Sequence, residues 1–99
     1  MLQAKDIERE ALEVARKNFG AANVVRTIVE PMVDLDGDDA WRVTIVVDPK
    51  LVDKIDGDAV LDNIIQIHNR LWEQGEEDRL PFIEFTTEEE LAESDDPES

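Results

Sequence analysis

From Asn23 the hydrophobic period changes to two, most plainly along Trp41, Val43, Ile45 and Val47, whereas on both sides of the Asn23 to Asp48 stretch apolar residues recur at helical spacing. This double change of period constrains the fold more than any other feature. A segment of period two presents one face of a strand, and it does not line up along one face of a helix. The stretches "NVVRTIVEPMVD" and "AWRVTIVVD" are rich in Val, Ile and Thr, and "VDLDGDDAW" lies where they meet, which predicts a β-hairpin. In the second strand Trp41, Val43, Ile45 and Val47 share one face, while Arg42, Thr44 and Val46 share the other. Pro31 has no N–H to donate, so the first strand either bulges there or turns that residue to an unpaired side.

The flanking segments are helical. In "QAKDIEREALEVARKNF", residues 3–19, Ile7, Ala11, Val14 and Ala15 form one stripe, widened by Leu12 and Phe19, and Gly20 ends it. Arg9 with Glu13, and Glu13 with Lys17, are spaced for i,i+4 pairs. A second long helix is expected from Asp58, as N-cap, to Gln74, with Gly75 as its stop. Its stripe reads Leu61, Ile64, Ile65, His68, Leu71 and Trp72, flanked by Val60 and Ile67, and should be the spine of the core. Leu51, Val52 and Ile55 suit a single helical turn laid on that core, and "PFIEF" has the form of a short third strand.

The order is thus α-β-β-α-β, an α+β fold occupying residues 1–86 as one domain. A right-handed crossover through the second helix makes the third strand parallel to the second. Pairing the third strand antiparallel with the first then gives strand order 2-1-3, a three-stranded, mainly antiparallel sheet with two helices packed on one face. Arg42, Thr44 and Val46 would be exposed on the other face, and the second strand would be a free edge, a place for self-association as a homodimer or for a partner. In "TTEEELAESDDPES", Thr87 and Glu90 form a capping box able to nucleate one turn. Leu91 alone gives that turn little to bury, so residues 87–99 are expected to be a disordered acidic tail.

Charge narrows the choice of partner. The chain has 26 acids against 10 bases, a net charge of −16, and seven of the acids follow Thr87, which leaves −9 on the first 86 residues. Such a surface repels nucleic acid and anionic membranes and favours a basic protein partner. Cysteine is absent, which excludes disulfides, thiolate metal sites and a cysteine nucleophile. The charged N-terminus "MLQAKDIERE" has no secretory h-region and no apolar run approaches a membrane span, so a cytoplasmic protein is expected.

The stretch around Gly37 looks most like a site, with Asp34, Asp36, Asp38 and Asp39 beside it. An EF-hand counted from Asp34 needs glycine at its sixth position and a bidentate Glu at its twelfth, where this chain has Asp39 and Ile45. The calcium motif therefore fails, and a hairpin turn of type I′ at Asp36-Gly37 accounts for more of the residues. The helical neighbours of His68 are Ile64, Ile65, Leu71 and Trp72, none of them a ligand, which suits a histidine at the edge of the core. No nucleophile motif or phosphate loop occurs, and no cofactor or catalytic residue is assigned. If Trp41 and Trp72 both point inward they close the two ends of the core; if one is exposed it becomes an interface anchor.

With "GDDAWRVTIVV" and "IHNRLWEQGEEDRLPFIEF" assembled, the chain resembles small acidic bacterial proteins of unknown function, of the kind found in toxin–antitoxin operons. The resemblance covers most of the first 86 residues; it implies a protein partner and carries over no functional residue. Three functional readings result. The first is an interaction module that binds a basic protein through Asp34, Asp36, Asp38, Asp39, Trp41, Arg42 and Thr44. The second is an antitoxin-like inhibitor of a basic toxin or nuclease. The third is a small carboxylate-based enzyme or weak calcium binder.

Overall fold

The structure, a computed structural model, describes residues 2–76 and 79–94. α1 (Ala4–Phe19) leads through a short 3-10 turn to β1 (Val24–Val33) and β2 (Asp39–Val47). After α2 (Pro49–Val52) and α3 (Gly57–Glu73) come β3 (Leu80–Thr86) and α4 (Glu88–Ser94). The α+β class and the order of the five major elements agree with the sequence reading. No helix among the described residues is long and apolar enough to cross a membrane.

The sheet is mixed, and its strand order is β1-β2-β3 rather than 2-1-3. β1 pairs antiparallel with β2, and β3 lies parallel to β2, not antiparallel to β1. β2 is therefore the central strand and not a free edge. The physical reason is legible in Pro31, since proline suits an edge strand and the order 2-1-3 would have placed it in the middle of the sheet. Pro31 faces Trp41 in unbroken register, and the irregularity in β1 falls at Val24/Arg26 instead. Asp34 N–H bonds the carbonyl of Asp38, which puts the even-numbered residues of β1 in hydrogen-bonded pairs and turns the nitrogen of Pro31 to the open edge.

β2 is buried on both faces from Val43 to Val47, as expected of a strand with neighbours on each side. Trp41, Val43, Ile45 and Val47 meet Ile7, Ala11, Val14 and Ala15 of α1 and Ile67 and Leu71 of α3 in one core. On the opposite face Arg42 is exposed, but Thr44 and Val46 are buried. Thr44 donates to Glu84 at 3.0 Å.

Helix ends follow the expected chemistry with two adjustments. At α1, Gln3 N–H donates to the Asp6 carboxylate at 3.0 Å while Asp6 N–H bonds the Gln3 carbonyl at 2.9 Å, and Gly20 adopts φ +94° where the helix stops. At α3 the N-cap is Asp56, whose carboxylate accepts from Ala59 N–H at 2.8 Å, so the helix begins two residues before the expected cap at Asp58. The ion pairs also differ from simple i,i+4 spacing. Arg9 goes to Asp6 and Glu13 to Arg70 of α3, at 3.1 Å.

The rotation of α3 is a larger correction. Asn63, Ile67 and Leu71 are its buried residues, while Leu61, Ile65 and Trp72 are exposed. The core stripe is thus displaced by about a quarter of a turn from the one expected. The seam with α1 sets this angle: Asn18 donates to Asn63 at 2.9 Å, and Arg70 reaches Glu10 and Glu13, both at 3.1 Å. His68 is half-buried beside the core stripe, as its neighbours suggested.

The chain past Thr87 also departs from expectation. The capping hydrogen bond forms, from Glu90 N–H to the Thr87 hydroxyl at 3.2 Å, but the turn extends to Ser94 as α4. Leu91 finds cover in a cleft on the open side of the sheet, lined also by Ile28 and Thr44, and Arg26 binds Glu88 at 2.8 Å. Residues 95–99 of the expected tail lie outside the described residues.

Candidate interface at the hairpin end of the sheet

The loop between β1 and β2 is five residues, Asp34 to Asp38. Gly37 N–H bonds the Asp34 carbonyl at 3.0 Å, and Asp34 N–H bonds Asp38 at 2.9 Å. Only Gly37 in the loop has positive φ, +86°, so the connection is a type I turn closed by a left-handed glycine rather than the expected type I′ turn, which needs two such residues. One Asp34 carboxylate oxygen accepts from both Asp36 N–H and Asp38 N–H at 2.9 Å. This side chain shapes the loop from within. Asp36 and Asp38 then project into solvent.

Asp34, Asp36 and Asp38 each place a carboxylate oxygen within 4.8 Å of the others. Crowding of this kind costs about 1 kcal/mol per pair in water and is relieved by salt or by an incoming cation. Asp39 is partly neutralised, because Arg79 lies 3.9 Å from it. The same guanidinium stands 4.9 Å over the Trp41 ring, a cation–π arrangement. Trp41 is only 5 % exposed, so its ring belongs to the core face.

The structure therefore divides the residues assigned from the sequence. Asp34, Asp36 and Asp38 gather at the tip, and Asp39 sits beside them at the start of β2. Arg42 and Thr44 lie on the open face farther along β2, and Trp41 is on the opposite face beneath Arg79. Trp41 is thus not available as a surface anchor. Trp72, 66 % exposed, is the tryptophan at the surface.

Sequence reasoning missed the apolar component. Met32, Val33, Leu35, Leu80 and Phe82 line a groove of about 380 Å3 with Asp34 and Asp36. Leu35 is fully exposed at the loop tip, and Leu80 and Phe82 are exposed on β3. Two signals were present. A large aliphatic residue among aspartates buries nothing within a turn, and period two along β3 sets Leu80 and Phe82 opposite Pro81 and Ile83. The groove could accept an apolar side chain, while the carboxylates beside it attract positive charge.

Comparison with protein-family models, with curated proteins and with solved structures finds no match.

Proposed function

We propose that this chain is a binding module of the cytosol whose hairpin end engages a basic protein, the partner inserting an apolar side chain into the groove and setting Lys or Arg against the aspartates. The observation that carries the reading is the convergence of fully exposed Leu35 with exposed Leu80 and Phe82 beside three carboxylates. Exposed apolar surface rimmed by charge is the usual composition of a recognition site. Internal hydrogen bonds from Asp34 hold the tip in shape before a partner arrives, so less ordering is required on binding.

A narrower form of the reading, inhibition of a basic toxin or nuclease, is favoured by the spacing of the carboxylates. Three acids within 4.8 Å concentrate negative charge as a phosphate group does. Both forms require binding that weakens with salt.

The test is a displayed library of peptides with an apolar residue flanked by Lys and Arg, selected on the wild-type chain and titrated against variants. Leu35→Ser and Phe82→Ser should each weaken the selected peptides about tenfold or more, as loss of an anchor does. Asp36→Asn with Asp38→Asn should flatten the salt dependence. Selected peptides that bind all these variants as tightly as the wild type would sink the proposal. Binding that appears only with added calcium would favour the metal-binding alternative.

A further inference from the structure

A second surface, on the flank of α3 and formed by other residues than the hairpin groove, has a different character. Leu61, Ile65 and Trp72 of α3 are 55 %, 47 % and 66 % exposed, and with His68 they fall on one flank of the helix. No carboxylate, lysine or arginine interrupts this arc between Leu61 and Trp72, although the chain as a whole has net charge −16. The flank points away from α1, because Asn63 and Arg70 face α1 through Asn18, Glu10 and Glu13. It therefore lies on the side of β3, an edge strand whose outer backbone groups have no strand neighbour among the described residues.

The geometry points to a second copy of this chain as the occupant, joined about a twofold axis with α3 against α3 and the β3 edges facing each other. Two unsatisfied features stand side by side, an apolar helix flank and a strand edge. A lone partner helix would cover the first and leave the second. Another copy brings both in matching placement, since a twofold interface is self-complementary. Size supports the same choice. The three side chains expose on the order of 350 Å2, somewhat under half of the roughly 800 Å2 per partner in a standard interface, and the edge strand beside them supplies the adjoining area. No carboxylate stands within the arc itself, so the repulsion that opposes contact is the long-range one between two acidic bodies, which salt screens.

This contact and the hairpin-end reading respond oppositely to salt, which keeps their tests separate. Screening lowers repulsion between two acidic bodies, so dimerisation should tighten when salt rises from about 0.05 to about 0.5 M, while binding of a basic partner should weaken. Sedimentation equilibrium of the full chain should show a monomer–dimer exchange, accompanied by a blue shift of Trp72 fluorescence. Trp72→Ala should raise the dissociation constant about thirtyfold, and Ile65→Glu should abolish the dimer, with circular dichroism showing that both variants fold. Leu35→Ser should leave the constant unchanged. A chain that stays monomeric at high salt and at about millimolar concentration overturns the proposal. So does a dimer that Leu35→Ser disrupts and the α3 variants leave intact.

Discussion

α1 and α3 lie side by side on one face of the sheet and are nearly equal in length, 16 and 17 residues, yet they use their apolar residues differently. α1 buries its full stripe, Ile7, Ala11, Val14 and Ala15, and leaves no large apolar side chain exposed. α3 has an apolar arc of comparable width, roughly 160° at 3.6 residues per turn, but fills it with large side chains. The core takes one half, around Ile67 and Leu71, and the other half remains in water. Periodicity reports that a helix has an apolar side. Its neighbours decide which part of that side becomes core.

The largest effect that could break this comparison is on stability. Ile67→Ala should cost about 2–5 kcal/mol in denaturant unfolding, because the residue is fully buried and its loss leaves a cavity. Ile65→Ala, two positions earlier on the same helix, should cost less than about 1 kcal/mol in the isolated chain. Equal costs at the two positions would mean that α3 is rotated from the angle described. Next in size is the polar seam. Arg70→Gln should cost about 0.5–1 kcal/mol, since the guanidinium is part-exposed and joins Glu10 to Glu13. The hydrogen bond that Arg70 donates to Glu13, aided by the one to Glu10, holds its guanidinium above its ordinary pKa, against the opposing effect of burial. A raised pKa contributes stability in full at pH below the ordinary arginine value, and that contribution fades only as pH climbs past the raised one. The deficit of Arg70→Gln measured by urea unfolding should therefore stay constant between about pH 7 and pH 10.

The smallest effect is spectroscopic and sharpens the contrast between the two tryptophans. Dilute Trp72→Phe, which retains Trp41, should emit at short wavelength and resist acrylamide quenching. Trp41→Phe, which retains Trp72, should emit at long wavelength and quench readily, in keeping with exposures of 5 % and 66 %. Similar quenching of the two variants would contradict the burial of Trp41 beneath Arg79.

Much of the architecture was legible because hydrophobic period marks elements well. The two long helices, the hairpin, the strand at "PFIEF" and the capping residue Thr87 were all readable. Strand order was less so, since crossover handedness makes β3 parallel to β2 without saying which strand it sits beside. The clues were Pro31, which belongs at an edge, and "VTIVV", uncharged and apolar on both faces but for Thr44, which suits a strand covered on both sides. The rotation of α3 was hidden because it depends on Asn63 and Arg70, two polar residues whose partners are 45 and 60 residues away in sequence. The candidate site was half visible. Its aspartates announced themselves by composition, but Trp41, placed on its correct face with Val43 and Ile45, was counted among the contact residues although that face is core, and Leu80 and Phe82 reach Leu35 only through the pairing of β3 with β2.

The two hydrogen bonds from the Asp34 carboxylate have a consequence for how freely the tip can vary. The side-chain identities that shape the backbone there are those of Asp34 and Gly37, while Leu35, Asp36 and Asp38 supply to the loop only main-chain groups that any residue but proline has, and turn their side chains outward. The turn thus separates the residues that form the loop from the residues that would be read by a partner. Three positions on a rigid hairpin can be exchanged without redesigning the fold, which makes this end of the sheet a natural place to graft a new recognition sequence.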